Sequence, residues 1–147
     1  MRTLISILVA ASLALLLSAC ATTKGEPRKD ATSKTGYYIP RDLDDALVEL
    51  DHIMGTKGHD QVMRATEKGM IEYHHGLGTW LRNNWGLWGG SRLSEYFHRL
   101  GIRHPDDMSG IIFDSYWRKL HDRPIDLEGQ VRYYQDYWKS QKTNEGG

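Results

Sequence analysis

His104-Pro105-Asp106-Asp107-Met108-Ser109 sets an imidazole beside two carboxylates. Such a group can act as a general base with an orienting acid, or contribute ligands to a metal. The same string also reads as a helix start. Pro105 drives His104 out of the helical region. Asp106 and Asp107 then fall in a first turn, where negative charge meets the positive end of the helix dipole. Capping is the expected role, with His104, Asp106 and Asp107 as the catalytic candidates for a hydrolase. The other histidines are poorly spaced for chemistry. His74 and His75 are neighbours, so on a helix they point about 100° apart. Glu72 and His75 are three apart and can face one ion. There is no His-Glu-x-x-His pattern, no Gly-x-Ser-x-Gly, and no phosphate- or dinucleotide-type glycine pattern. The sequence therefore implies no metal and no cofactor.

A second group of residues is suited to binding. Trp80-Leu-Arg-Asn-Asn-Trp85-Gly-Leu-Trp88-Gly-Gly-Ser-Arg92 is the densest aromatic stretch. It starts in a helix and leaves it near Asn84 or Gly86, because Asn and Gly tolerate the left-handed conformation at a helix end. A Gly-rich connection then leads to Ser91, a plausible N-cap. Arg82, Asn83, Asn84, Trp85, Trp88, Ser91 and Arg92 form the candidate binding surface, since indoles and guanidinium groups are favoured anchors for a partner protein. The same rings could face a sugar. The competing and more expected role for Trp85 and Trp88 is structural, with both indoles pinning the connection into the core.

These strings carry a resemblance. His75-x-Gly-Leu-Gly, Arg82-Asn-Asn-Trp-Gly-Leu-Trp88, Gly90-Ser-Arg-Leu and Gly101-Ile-x-His-Pro-Asp-Asp-Met-Ser109 resemble an uncharacterised bacterial domain family of unknown function. The resemblance spans roughly residues 39–138. It implies domain limits, but no activity and no catalytic residues.

Cys20 is the one cysteine in the chain. It follows Arg2, an uncharged and mostly apolar run from Leu4 to Leu17, and the small residues Ser18 and Ala19. The run is short of the roughly 20 residues a spanning helix needs, so it reads as an export signal. Leu17-Ser18-Ala19-Cys20 resembles the lipobox of bacterial lipoproteins. That likeness implies cleavage before Cys20, acylation of Cys20 and a membrane-anchored mature chain, since several acyl chains give stable attachment. With Ala21 after Cys20, the outer membrane is favoured if the host has two. The whole chain has 19 Lys+Arg against 19 Asp+Glu, and removing the leader takes away only Arg2. Such a balance argues against nucleic acid as a partner.

The elements that position these residues are helical. Leu43, Ala46, Leu47, Leu50 and Met54 follow a helical period after Asp42, and Gly55 ends it. Residues 57–65 are expected to add at most a weak turn. Met70, Tyr73, His74, Leu77, Trp80 and Leu81 repeat the pattern behind Thr66. Gly76 and Gly78 stand inside that run, where each costs roughly 1 kcal/mol against Ala, pointing to a bend or a close helix contact. Further helices are expected from Arg92 to Leu100, from Pro105, and after Asp126. No hairpin signal appears. The expected fold is an all-α orthogonal bundle of five or six helices. The expected organisation is a signal over 1–19, a tether over 20–36, the helical domain over 37–141 and a disordered tail over 142–147. The functional expectation is a lipid-anchored, non-catalytic module that binds an envelope protein. Glycan or small-ligand binding through the aromatic loop, and a hydrolase, are the alternatives.

Overall fold

Pro105 opens a helix that is buried along most of its circumference: Met108, Ser109, Ile111, Ile112, Phe113, Ser115 and Tyr116 all lie inside. A helix of that kind belongs at a centre, with other helices on several sides. The computed structural model describes residues 31–145. The order is α1 (Leu43–Arg64), a 3-10 helix (Glu67–Tyr73), α2 (Leu77–Asn84), α3 (Arg92–Arg99), α4 (Pro105–Leu120) and α5 (Leu127–Glu145). Every other helix packs on α4. Among the described residues there is no strand, only an isolated bridge between Thr32 and Tyr38. The fold is the expected all-α bundle. Cys20 and the expected leader lie outside the described residues.

Local chemistry explains most boundaries. Asp42 Oδ1 accepts from the Asp45 backbone N–H at 2.9 Å and caps α1. Ser91 and Ser94 form a reciprocal capping box at the start of α3. His104 caps α4, and Pro105 takes the first helical position, where its missing N–H costs nothing.

Four expectations are corrected. Gly55 does not end α1. It takes φ 58°, a left-handed value open to glycine, and the chain kinks and resumes as helix through Arg64. The predicted second helix is two elements. Thr66 caps the first as expected, its Oγ1 accepting from Gly69 N at 3.1 Å, but that element is a 3-10 helix. Gly76, with ψ −85°, interrupts it, and α2 begins at Leu77. Gly78 has the close contact expected of one of these glycines: a β-carbon there would lie 3.3 Å from Phe113 Cε2 on α4. Residues 31–36 of the expected tether are folded. Ala31 is buried, and its carbonyl accepts from Ile39 N at 2.8 Å. At the other end, α5 runs through residues 142–145, in place of the expected disordered tail; helical Thr143 hydrogen-bonds back to the Lys139 carbonyl at 3.2 Å.

The core gathers Leu43, Leu47 and Leu50 of α1, Leu81 of α2, Leu93 and Phe97 of α3, and the buried face of α4. Burial of each such side chain stabilises by about 1.5–3 kcal/mol. Polar ties then set the register of α4 against its neighbours. Tyr116 Oη donates to Asp51 Oδ1 at 2.7 Å, Trp117 Nε1 donates to the Ala65 carbonyl at 2.8 Å, and Arg118 Nε donates to Glu67 Oε1 at 2.6 Å. Asp114 stands one turn before Arg118. Burial above all, and then the charge of Glu67, push its pKa from the usual 3.8 up to about 6, with Arg118 opposing. A folded-state pKa above the unfolded one means that ionised Asp114 destabilises the fold. The penalty is absent below the unfolded value, grows between it and about 6, and is complete above that. Asp114→Asn should therefore raise stability by about 1–2 kcal/mol at neutral pH, after allowance for partial solvent screening, and change it little near pH 4. Urea unfolding at the two pH values measures this.

Candidate functional site

The two strings singled out by sequence meet at one place, and Arg82 joins them. It projects from α2 into the interior and is 6% exposed. Its Nη1 donates to Ser109 Oγ on α4 at 3.0 Å, and its Nη2 donates to Thr79 Oγ1 at 3.0 Å and to the His74 carbonyl at 3.2 Å. Its Nε lies 3.0 Å from Asp106 Oδ1. That last contact is an ion pair without hydrogen-bond alignment, since Nε makes no hydrogen bond. Arg82 is thus a buried brace, not a surface anchor.

Asp106 gathers three cationic or potentially cationic groups. Besides Arg82, His74 Nε2 lies 3.4 Å from Oδ1 and His104 Nδ1 lies 3.5 Å from Oδ2. The geometry opposes a His–Asp base. His104 Nδ1 accepts the Asp106 backbone N–H at 3.3 Å. In the neutral ring the proton then resides on Nε2, and no lone pair remains free to take one from a substrate. Ser109 Oγ is also occupied, donating to the Asp106 carbonyl at 2.9 Å while accepting from Arg82. Asp107 is turned elsewhere. Its Oδ2 accepts from Trp138 Nε1 at 2.7 Å, and burial raises its pKa despite that bond. Among the described residues no group of three His, Cys, Asp or Glu side chains could hold a metal.

The expected binding surface divides in two. Trp85 is 0% exposed and belongs to the core, with its indole N–H unpartnered. Ser91 is buried as a cap. The reason for the split is the turn at Gly86, φ 63°, which lies so close to Ser91 that a β-carbon would meet Ser91 Cβ at 2.9 Å. The tight return sends Trp85 and Leu87 inward and leaves Trp88 outside, 65% exposed. Asn83 Oδ1 accepts from Trp88 Nε1 at 2.9 Å and holds the ring.

The helices on either side of this turn carry a surface that the sequence only half suggests. Arg92 Nε donates to the Ile39 carbonyl at 2.7 Å, Nη2 bonds the same oxygen, and the guanidinium lies 4.9 Å from the Tyr38 ring centroid. Asn84 Nδ2 donates to the Trp80 carbonyl at 3.0 Å, and its Oδ1 accepts from Thr35 Oγ1 at 2.8 Å. Tyr37 meets Trp80 edge-on at 4.8 Å between centroids. Exposed Tyr37 and Tyr38 are thus tied to α2 and α3, the helices that flank the turn carrying Trp88. Helical spacing does not reveal the two tyrosines, because they precede the first helix. The available signal is their adjacency immediately before Ile39-Pro40.

With this architecture and these strings in view, the class is a small all-α domain. The chain belongs to the family described as a domain of unknown function, DUF6794, whose family model matches residues 39–120. No curated protein and no solved structure matches it.

Arg82→Met should destabilise by about 2–4 kcal/mol, because buried Ser109 and half-buried Asp106 lose their partner. Trp85→Ala should cost about 3–5 kcal/mol, and Trp85→Phe far less, because it also removes an unpartnered N–H. Trp88→Ala should stay within about 0.5 kcal/mol. Chemical unfolding of the four variants separates braced and core positions from surface ones.

Proposed function

We propose that this protein is a lipid-anchored, non-catalytic module that binds another protein of the bacterial cell envelope through the aromatic end of its bundle. The observation that carries this reading is Trp88: a largely exposed indole whose ring nitrogen is tethered to Asn83. A large apolar side chain held in place loses little entropy on binding, which suits an interface anchor. Tyr37, Tyr38 and Arg92 extend the patch with the residue types enriched at interface hot spots. The occupied Nδ1 lone pair of His104 and the committed hydroxyl proton of Ser109 weigh against the hydrolase alternative. Export and the anchor rest on the Leu17-Ser18-Ala19-Cys20 string. No helix among the described residues is long and apolar enough to cross a membrane, so attachment falls to Cys20 in this reading.

Labelled palmitate fed to host cells should enter the chain and fail to enter Cys20→Ala. Unlabelled parent protein would end the anchor proposal. A photo-reactive residue at position 88 of the full chain should yield one discrete protein adduct in cells, and the same probe at exposed Lys57 should yield none. Equal adducts at both positions, or none at 88, would remove the protein partner. Retention on isolated peptidoglycan that Trp88→Ala abolishes would replace the protein partner with glycan.

A further inference from the structure

A cavity of about 540 Å3 opens between the segment that enters α4 and the outer helix α5. That volume is typical of small-molecule sites. The cavity is separate from the aromatic end of the bundle, and its chemistry is independent of any partner bound there. Its first wall, from residues 101–107, lies within the family-matched region, which ends at residue 120. Its second wall comes from α5, outside that match.

The walls are fixed before any ligand arrives. Trp138 is held by its 2.7 Å bond to Asp107 and by the His104 ring, 5.3 Å away between centroids. Gln135 Nε2 donates to the Leu100 carbonyl at 3.1 Å. Tyr134 packs its hydroxyl over Gly110, where any β-carbon would collide with it. These contacts place two aromatic rings, Tyr134 and Trp138, inside the lining.

The charges in the same lining are unequal. Arg103, Lys139 and Lys142 bring three cations, and Asp107 brings the one carboxylate. The Asp107 carboxylate is buried and already receives the indole N–H. Lys139 also lies 3.0 Å from Asp136, but that pair is largely solvent-exposed on one helix face and is weak enough to yield. An apolar floor edged by cations complements a molecule with a flat apolar body and an anionic end.

We propose that this cavity binds a small amphiphilic anion, a carboxylate joined to an aromatic ring, with the ring against Tyr134 and Trp138 and the carboxylate toward Arg103, Lys139 and Lys142. The arrangement orients the ligand: the apolar body enters first and the charge stays at the rim, where it keeps part of its hydration.

The full chain, labelled with fluorotryptophan and held in zwitterionic nanodiscs, gives one fluorine resonance for each of its 5 Trp residues. Trp138→Phe identifies the reporter. Titration with 4-phenylbutyrate should move the Trp138 signal to saturation, and the neutral 4-phenylbutyramide should bind roughly tenfold more weakly. The double variant Lys139→Gln, Lys142→Gln changes only exposed side chains. It should leave the ligand-free resonances of the other four tryptophans in place and weaken phenylbutyrate binding by about tenfold. An unmoved Trp138 signal, equal binding of acid and amide, undiminished binding by the double variant, or movement of Trp88 in place of Trp138 would each overturn the proposal.

Discussion

A guanidinium group taken out of water must find its partners inside the protein, and Arg82 finds them on three separate pieces of chain. Thr79 stands on its own helix, His74 at the end of the 3-10 helix, and Ser109 and Asp106 on the first turns of α4. The partners outside α2 fix distances between elements that apolar packing alone would leave free to slide. Because every other helix packs on α4, setting α2 and the 3-10 helix against the start of α4 sets much of the remaining geometry. The pair also explains why the Arg82 and His104–Ser109 strings look like a motif: they are two halves of one buried contact.

From that brace the outward face follows. Leu81 and Trp85 sit one turn apart on the same inward side as Arg82. The left-handed turn at Gly86 then reverses the chain, so that the next tryptophan emerges on the surface. Exposure of Trp88 is therefore a consequence of burying Trp85. The N-terminal segment completes this end, because Arg92 grips the Ile39 carbonyl and lays its guanidinium over Tyr38.

Much of the fold is legible because local signals agree with the tertiary outcome. Asp42, Thr66 and Ser91 cap where their side chains predict, and His104-Pro105 begins α4. The errors fall mainly at glycines. A glycine after an amphipathic run reads as a stop, yet at Gly55 the helix kinks and continues because Val62 still has core to reach. Gly76 and Gly78 sit in one unbroken apolar period, yet the period spans two elements, and the non-helical backbone of Gly76 marks where the second begins. The candidate surface is half legible. Its seven residues have the right chemical types, but Arg82, Trp85 and Ser91 face inward. Trp138, which contributes to the pocket beside α4, shows in the sequence only as part of a helical period, since its partner Asp107 lies 31 residues away.

By itself the sequence determined the helical class, the caps and the first turn of most helices, because these depend on spacing and on groups within a few residues of one another. It also carries the string around Cys20 on which the proposed export and anchor rest. Only the tertiary structure decided which aromatic side chains are core and which are surface, and whether the histidine beside Asp106 keeps a free lone pair. Those outcomes depend on how the chain is placed in three dimensions, largely through contacts between residues far apart in sequence. Composition supplies the rings and charges, but only packing around α4 allocates each one to the interior, to a cap or to water.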